Sequence, residues 1–155
     1  MNAEITELPE YHVAYVRKMG PYGPETCGQA FNELCQWAGP RGHLAKGITF
    51  GLYLDNPEVT PAEKCRVDAC VTIPPGTEVE SPIAIQTIAS GPHAVCHFEL
   101  HATDFTQAWQ DAIAWFFSNG HQSADAPCYE RYHTTPEQHP DGKWVFDICL
   151  PIKRG

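Results

Sequence analysis

The feature that most constrains this chain is an internal repeat at a shift of 78–79 residues. Eight identities fall at nearly this one shift, which is the signature of a duplicated structural unit. The matched pairs are Gln29/Gln107, Ala30/Ala108, Trp37/Trp115, Tyr53/Tyr132, Pro57/Pro136, Glu58/Glu137, Asp68/Asp147 and Cys70/Cys149. One such unit alone would expose an apolar sheet surface, so a second unit is needed to bury it. The repeat therefore predicts two units related by a pseudo-two-fold axis, with a central ligand cleft between them.

Hydrophobic periodicity predicts the same order of elements in both halves. Alternating segments indicate strands, and apolar residues spaced three and four apart indicate helices. The predicted strands are 11–19, 48–54, 65–73, 83–90, 93–100, 128–134 and 144–152, and the predicted helices are 25–38 and 105–119. Asp104 stands where it can cap the second helix. The sequence thus predicts an α+β fold of duplicated strand–helix–strand–strand units, with an extra strand before the second helix.

Charge and composition exclude several classes of protein. With 155 residues, one domain is expected. The net charge of −9 offers no basic patch for phosphates, so direct binding to nucleic acid is not expected. The N-terminal residues are acidic where a secretory signal is basic and apolar, and no stretch is apolar enough to span a membrane. Seven cysteines without a secretory signal favour a reducing, cytoplasmic location.

Three segments carry a family resemblance. Residues 53–74 read YLDNPEVTPAEKCRVDACVTIP, residues 127–132 read PCYERY, and the last strand ends in Leu-Pro-Ile. These segments resemble the GyrI-like family, which includes DNA gyrase inhibitory proteins and effector-binding domains of AraC-type and multidrug-sensing regulators. The DNP-x-x-TPAEK-x-R-x-D pattern is the most specific of them. The resemblance covers the whole chain and implies a single small-molecule-binding domain over 1–155, with repeat halves at about 1–77 and 82–155.

The resemblance also implies three functions. Effector domains of the family bind lipophilic, often cationic compounds, some relatives inhibit DNA gyrase, and some stand-alone members resemble hydrolases of cyclopropane-bearing genotoxins. We expect no cofactor, no metal, no nucleic acid and no membrane as partners. Since the first predicted strand begins near residue 11, no helix-turn-helix is expected before the domain, and a complete transcription regulator is not expected either.

Aromatic residues are the first candidates for ligand binding. The candidate set is Trp37, Phe50, Tyr53, Trp109, Trp115, Tyr129, Tyr132 and Trp144. Any one of them can serve core packing, but as a set they suit a pocket that stacks planar or cationic ligands. We expect Trp109 and Tyr132 to line the pocket, with Phe50 and Tyr53 as further ligand contacts. Trp37 and Trp115 hold matching helix positions that suit packing on the sheet.

Glu130 is the candidate catalytic or cation-binding residue. It lies two residues before Tyr132 and therefore shares its strand face. Its repeat mate is Gly51, so the acid occurs in one half only. In a water-poor pocket a carboxylate attracts a cation or acts as a general acid or base. A solvated glutamate, or one paired with arginine, is the alternative.

Asp147 is the candidate second acid. A gapless alignment from the final proline places it where the family pattern often has Glu, so the acid is kept but is one methylene shorter. Asp68, its repeat mate, is the alternative position for a second inward acid.

Two other groups of residues are weaker candidates for a functional site. His97, Glu99 and His101 share one strand face at period two and could hold a metal, but a solvated polar face is the simpler interpretation. Cys27 and Cys128 could be nucleophiles, but neither has a convincing local basic partner. The first hypothesis is therefore a module that binds lipophilic, cationic small molecules. Inhibition of gyrase and hydrolysis of a strained ring, with Glu130 as base and Asp147 or Tyr132 as helper, stay open.

Overall fold

The structure, a computed structural model, describes residues 1–153, so the last two residues of the predicted domain lie outside the described part. The strands are β1 (Asn2–Leu8), β2 (Tyr11–Met19), β3 (Thr49–Tyr53), β4 (Arg66–Thr72), β5 (Ala84–Ile88), β6 (Gly91–Leu100), β7 (Cys128–Thr134) and β8 (Trp144–Pro151). The helices are α1 (Pro24–Ala38), the short α2 (His43–Lys46) and α3 (Phe105–Ser118). The predicted α+β class is confirmed.

The chain forms two compact units. We call residues 10–89 the first unit, and residues 1–9 together with 90–153 the second unit. Each unit has its own antiparallel strands, its own long helix and its own apolar core. The pseudo-two-fold relation and the ligand cleft stay predictions.

The first unit has the strand order β5-β2-β4-β3, and every neighbouring pair is antiparallel. Helix α1 begins with Pro24, which suits the first helical position because its missing N–H has no partner there. Its apolar side, with Ala30 and Leu34 fully buried, packs against β2 and β4. Val67, Ala69 and Val71 alternate along β4 and face this helix.

The second unit has the strand order β1-β6-β8-β7, again antiparallel throughout. Helix α3 packs against β6 and β8 through Ala108, Ala112 and Phe116. The even-numbered residues of β8, such as Phe146 and Ile148, face the helix. Odd-numbered residues of β8 therefore point to the opposite face of the sheet.

Both units contain a strand–helix–strand–strand segment with an additional strand paired to its first strand. The additional strand follows the segment in the first unit (β5) and precedes it in the second (β1). The expectation that the first strand begins near residue 11 is wrong, because β1 occupies Asn2–Leu8. Glu7 interrupts the alternation that Ala3 and Ile5 begin, so the segment lacks a clear strand pattern. Asp104 precedes α3 as predicted, but its side chain makes no capping hydrogen bond.

Candidate functional site

Glu130 lies on the helix-facing side of the second unit. It belongs to β7, and its register partner on β8 is Ile148, a core residue that packs with α3. Only 2% of the Glu130 surface is exposed. A carboxylate in such a position needs hydrogen-bond partners, because burying an unpaired charge is very unfavourable.

Two aromatic side chains donate hydrogen bonds to the Glu130 carboxylate. The indole Nε1 of Trp109, on α3, donates to Oε2 at 2.7 Å. The hydroxyl of Tyr132, two residues along β7, donates to Oε1 at 2.5 Å. Both donors are uncharged side chains, and together they fix the position of the carboxyl group.

Further aromatic rings pack in a series that begins at Tyr132. The Tyr132 ring packs against Trp144, with ring centroids 5.5 Å apart. Phe105 contacts Trp144 at 5.9 Å and stacks on Phe146 at 4.3 Å. The second unit therefore combines a buried acid with a set of aromatic faces, which is the combination that attracts cations with apolar substituents.

The chain matches a known protein family over almost its whole length. The GyrI-like small molecule binding domain matches residues 1–153. The chain belongs to the GyrI-like family. A relative from Pantoea sp. described as a DNA gyrase inhibitor is 30% identical over 156 residues, which cover 99% of both chains. The GyrI-like resemblance seen in the sequence is confirmed.

Several solved structures share the fold. The C-terminal domain of EcmrR has a TM-score of 0.78 at 18% identity, covering 99% of this chain and 98% of that domain. SAV2435 bound to tetraphenylphosphonium has a TM-score of 0.60 at 16% identity, covering 99% and 94%. A hydrolase from Listeria innocua has a TM-score of 0.67 at 12% identity, covering 97% and 91%. At these identities the likeness concerns the fold alone.

Two of the predicted ligand contacts belong to the first unit. Phe50 is fully buried, and its ring lies 4.8 Å from that of Tyr11. Its register partner is Cys70, whereas that of Tyr53 is Val67, so the two side chains point to opposite faces of β3. Tyr53 packs on the helix side with Tyr22 at 5.0 Å.

Asp147 lies on the sheet face opposite to Glu130. Its register partners are His97 on β6 and Arg131 on β7, whereas Glu130 pairs with Ile148. The structure therefore brings Trp109 and Tyr132 to Glu130 and does not bring Asp147 there. Alternation within a strand is readable from sequence, but the register between two strands decides which faces coincide.

Asp147 is the centre of a charged cluster. Its Oδ1 lies 2.8 Å from His97 Nδ1, and its Oδ2 lies 2.6 Å from His133 Nε2. The Arg131 guanidinium donates to Oδ2 from its Nη2 at 2.8 Å and from Nε at 3.1 Å. Burial opposes ionisation of Asp147, but hydrogen bonds from His133, His97 and Arg131 outweigh it and lower the pKa of this carboxyl well below its usual range.

Sequence reasoning missed His133 and Arg131. Both are odd-numbered residues of a strand whose even-numbered residues drew attention through Glu130 and Tyr132. The available signal was the period of two itself, which places residues 131 and 133 together on the second face. His101 and Glu99, predicted beside His97, do not join this cluster, because Glu99 contacts His139 and His101 follows the end of β6.

The two candidate nucleophiles receive little support. Burial raises the pKa of the Cys128 thiol to about 11, so it stays protonated and weakly nucleophilic at neutral pH. Cys27 is half-buried on α1. Among residues 1–153, no helix is long and apolar enough to cross a membrane.

Proposed function

We propose that this GyrI-like domain binds lipophilic organic cations and that Glu130 is the anion that recognises them. The observation that carries the proposal is the buried Glu130 carboxylate, held by Trp109 and Tyr132 among aromatic rings. A desolvated carboxylate interacts with a cation more strongly than one in water does. Aromatic faces add cation–π and apolar contacts.

Ligand entry requires side-chain movement, because Glu130 is almost fully covered. We infer that Trp109 or Tyr132 swings away and that the ligand replaces its hydrogen bond. A net hydrogen bond to a charged group contributes about 1.5–3 kcal/mol. A cation with aromatic substituents offsets that loss through its own charge and through ring contacts, whereas a neutral ligand offsets it less.

Tetraphenylphosphonium is the appropriate probe. SAV2435, which shares the fold, is bound to this cation. Tetraphenylborate has nearly the same shape and the opposite charge, so it separates charge recognition from apolar binding. We expect saturable tryptophan quenching by the cation and much weaker quenching by the anion. Glu130→Gln should weaken binding of the cation at least about tenfold, since one charge-assisted contact exceeds 1.4 kcal/mol.

Two controls make this test specific. Trp115→Phe alters a tryptophan on the same helix whose ring is not bonded to Glu130, and it should keep the wild-type affinity. Circular dichroism and thermal unfolding of Glu130→Gln must show a folded protein. Equal affinity of wild type and Glu130→Gln, or equal affinity for cation and anion, would contradict the proposal.

Inhibition of DNA gyrase is a second candidate, because a relative described as a DNA gyrase inhibitor is 30% identical over 99% of the chain. The net charge of −9 suits contact with a basic, DNA-binding groove. A supercoiling assay with purified gyrase and a large molar excess of the protein decides this point. Unchanged supercoiling would remove gyrase as a partner.

Hydrolysis of a cyclopropane-bearing genotoxin is the alternative outcome of ligand binding. Glu130 would take a proton from water while the water oxygen bonds to a ring carbon. The ring bond between that carbon and the carbon conjugated to a carbonyl breaks, and its electrons pass to the carbonyl, whose oxygen takes a proton from Tyr132. Glu130 then returns the proton it took from water to Tyr132. The Tyr132–Glu130 contact of 2.5 Å favours Tyr132 as the helper, since Asp147 faces the other way. Mass spectrometry of an incubated compound distinguishes a water adduct from unchanged, bound ligand.

A further inference from the structure

A second site candidate lies on the other face of the second unit. His97, His133 and Asp147 each offer one ligand-type atom, and these atoms lie within 4.8 Å of one another. The three residues come from the three adjacent strands β6, β7 and β8. Their backbone positions are therefore set by the sheet rather than by a loop.

The cluster opens into a cavity of about 330 Å³. Its lining includes all three residues and also Glu4 of β1. The imidazole side chains of His97 and His133 are 46% and 44% exposed, whereas Asp147 is buried. Solvent and a small solute can therefore reach the two ring nitrogens.

The first unit contains a buried aspartate at the position that corresponds to Asp147, and its contacts show what is needed to stabilise such a carboxylate. There Asp68 takes the register position opposite Arg17, as Asp147 does opposite His97. Arg17 binds both Asp68 oxygens at 2.7 and 2.9 Å, and Gln86 adds a third contact at 2.8 Å. One arginine and one amide suffice to hold that buried carboxylate.

Asp147 in the second unit has more charged and polar partners than Asp68 has in the first. Asp147 has its own arginine, Arg131, supplied by β7. His97 and His133 are present in addition to that ion pair. Two exposed imidazoles, both aimed at a carboxylate that is already paired, are therefore not explained by charge compensation.

We propose that His97, His133 and Asp147 bind a divalent transition metal ion, with zinc as the best match. Two imidazole nitrogens and one carboxylate oxygen are a common zinc donor set, and three protein ligands leave a coordination position open for water or a small ligand. The cavity beside the cluster provides room for that fourth ligand.

The required rearrangement is small. Tetrahedral zinc bonds of about 2.1 Å place ligand atoms about 3.4 Å apart. The present His–Asp contacts of 2.8 and 2.6 Å would lengthen slightly, and the two exposed rings would rotate toward each other. Metal bonds would replace two hydrogen bonds.

The positive charge of Arg131 is the main source of electrostatic repulsion for a bound cation. Its guanidinium donates to Oδ2 of Asp147 from both Nε and Nη2, whereas Oδ1 lies 2.8 Å from His97 Nδ1 and is the oxygen that would serve as the ligand atom. By fixing the carboxylate it also acts as an outer-shell partner, a role that orients ligands in known metal sites. Glu4 on the cavity wall contributes a compensating negative charge.

The test is a titration of the metal-free full-length chain with zinc alone, by calorimetry and by competition with a chromogenic indicator. We expect one zinc per chain. His97→Asn and His133→Asn should each weaken binding at least about tenfold, the loss typical of removing even an outer-shell partner. The double variant should lose the site.

Controls separate this site from other metal-binding groups. His101→Asn changes an exposed histidine outside the cluster, and Asp68→Asn changes the equivalent carboxylate of the first unit; both should bind zinc as the wild type does. Cobalt substituted for zinc should lack a thiolate charge-transfer band. The proposal is overturned by absence of binding, by unchanged binding in the double histidine variant, or by a thiolate band, which would assign the metal to cysteine.

Discussion

At the scale of single residues, burial decides which titratable groups influence stability. His93 is 3% exposed, and its ring packs edge-on against Tyr129. Its Nδ1–H donates to the Gly91 carbonyl at 2.9 Å. Burial lowers the pKa of His93, an effect that the Gly91 hydrogen bond and Glu7 oppose and that Arg131 reinforces.

This depression predicts a pH dependence with a definite sign. Below the ordinary histidine pKa of about 6.5, the unfolded chain binds a proton that folded His93 does not accept. Stability therefore falls as the pH drops through that value, by at most about 1.4 kcal/mol per pH unit for one group. In His93→Gln this contribution disappears. The difference in free energy of unfolding between the wild type and the variant should therefore be smaller at about pH 5.5 than at about pH 7.5. Urea unfolding at both pH values measures it, and a gap that widens on acidification would contradict the assignment.

At the scale of elements, the register of strand pairs determines which side chains meet. Arg17 on β2 and Asp68 on β4 are direct partners across the sheet. Asp68 is fully buried, whereas the Arg17 side chain is 40% exposed. Removing one member of such a pair leaves a buried charge without its counter-ion, whereas replacing both members is often nearly neutral.

We therefore expect the double substitution to be milder than the single one. Arg17→Met should destabilise the protein by about 2 kcal/mol, below the usual range for fully buried pairs because Arg17 is partly solvated. Arg17→Met combined with Asp68→Leu should recover a large part of that loss. Chemical denaturation of the two single variants and the double variant completes the cycle. Additive losses would show that the pair makes no net interaction.

Elements also show where sequence reasoning succeeds and fails. Alternation and helical spacing predicted α1, α3 and seven strands close to their observed bounds. Strand β1 was missed because Glu7 interrupts the alternation that Ala3 and Ile5 begin. Helix α2 was missed because it is a single turn of four residues. Predicting that Glu130 and Tyr132 lie together required only the two-residue period of a single strand. The Asp147 cluster needed the register of three strands, which no local pattern contains.

At the scale of the whole molecule, the net charge of −9 acts on every charged ligand. A negative protein concentrates cations near its surface and repels anions, and salt screens both effects. The Debye length falls from about 30 Å in 0.01 M salt to about 3 Å in 1 M salt. The long-range part of the field is therefore removed at high salt, while the short-range contact with Glu130 largely remains.

This separation predicts how binding of tetraphenylphosphonium depends on salt. Raising the salt from about 0.01 M to about 0.3 M should weaken binding several-fold, because the long-range attraction is screened. Glu130→Gln should bind less tightly at every salt concentration but show almost the same slope, since it removes one charge of nineteen acidic residues. Tetraphenylborate should show the opposite trend, with affinity rising as repulsion is screened. If the salt dependence disappears in Glu130→Gln, then that single carboxylate, rather than the overall charge, attracts the cation from a distance.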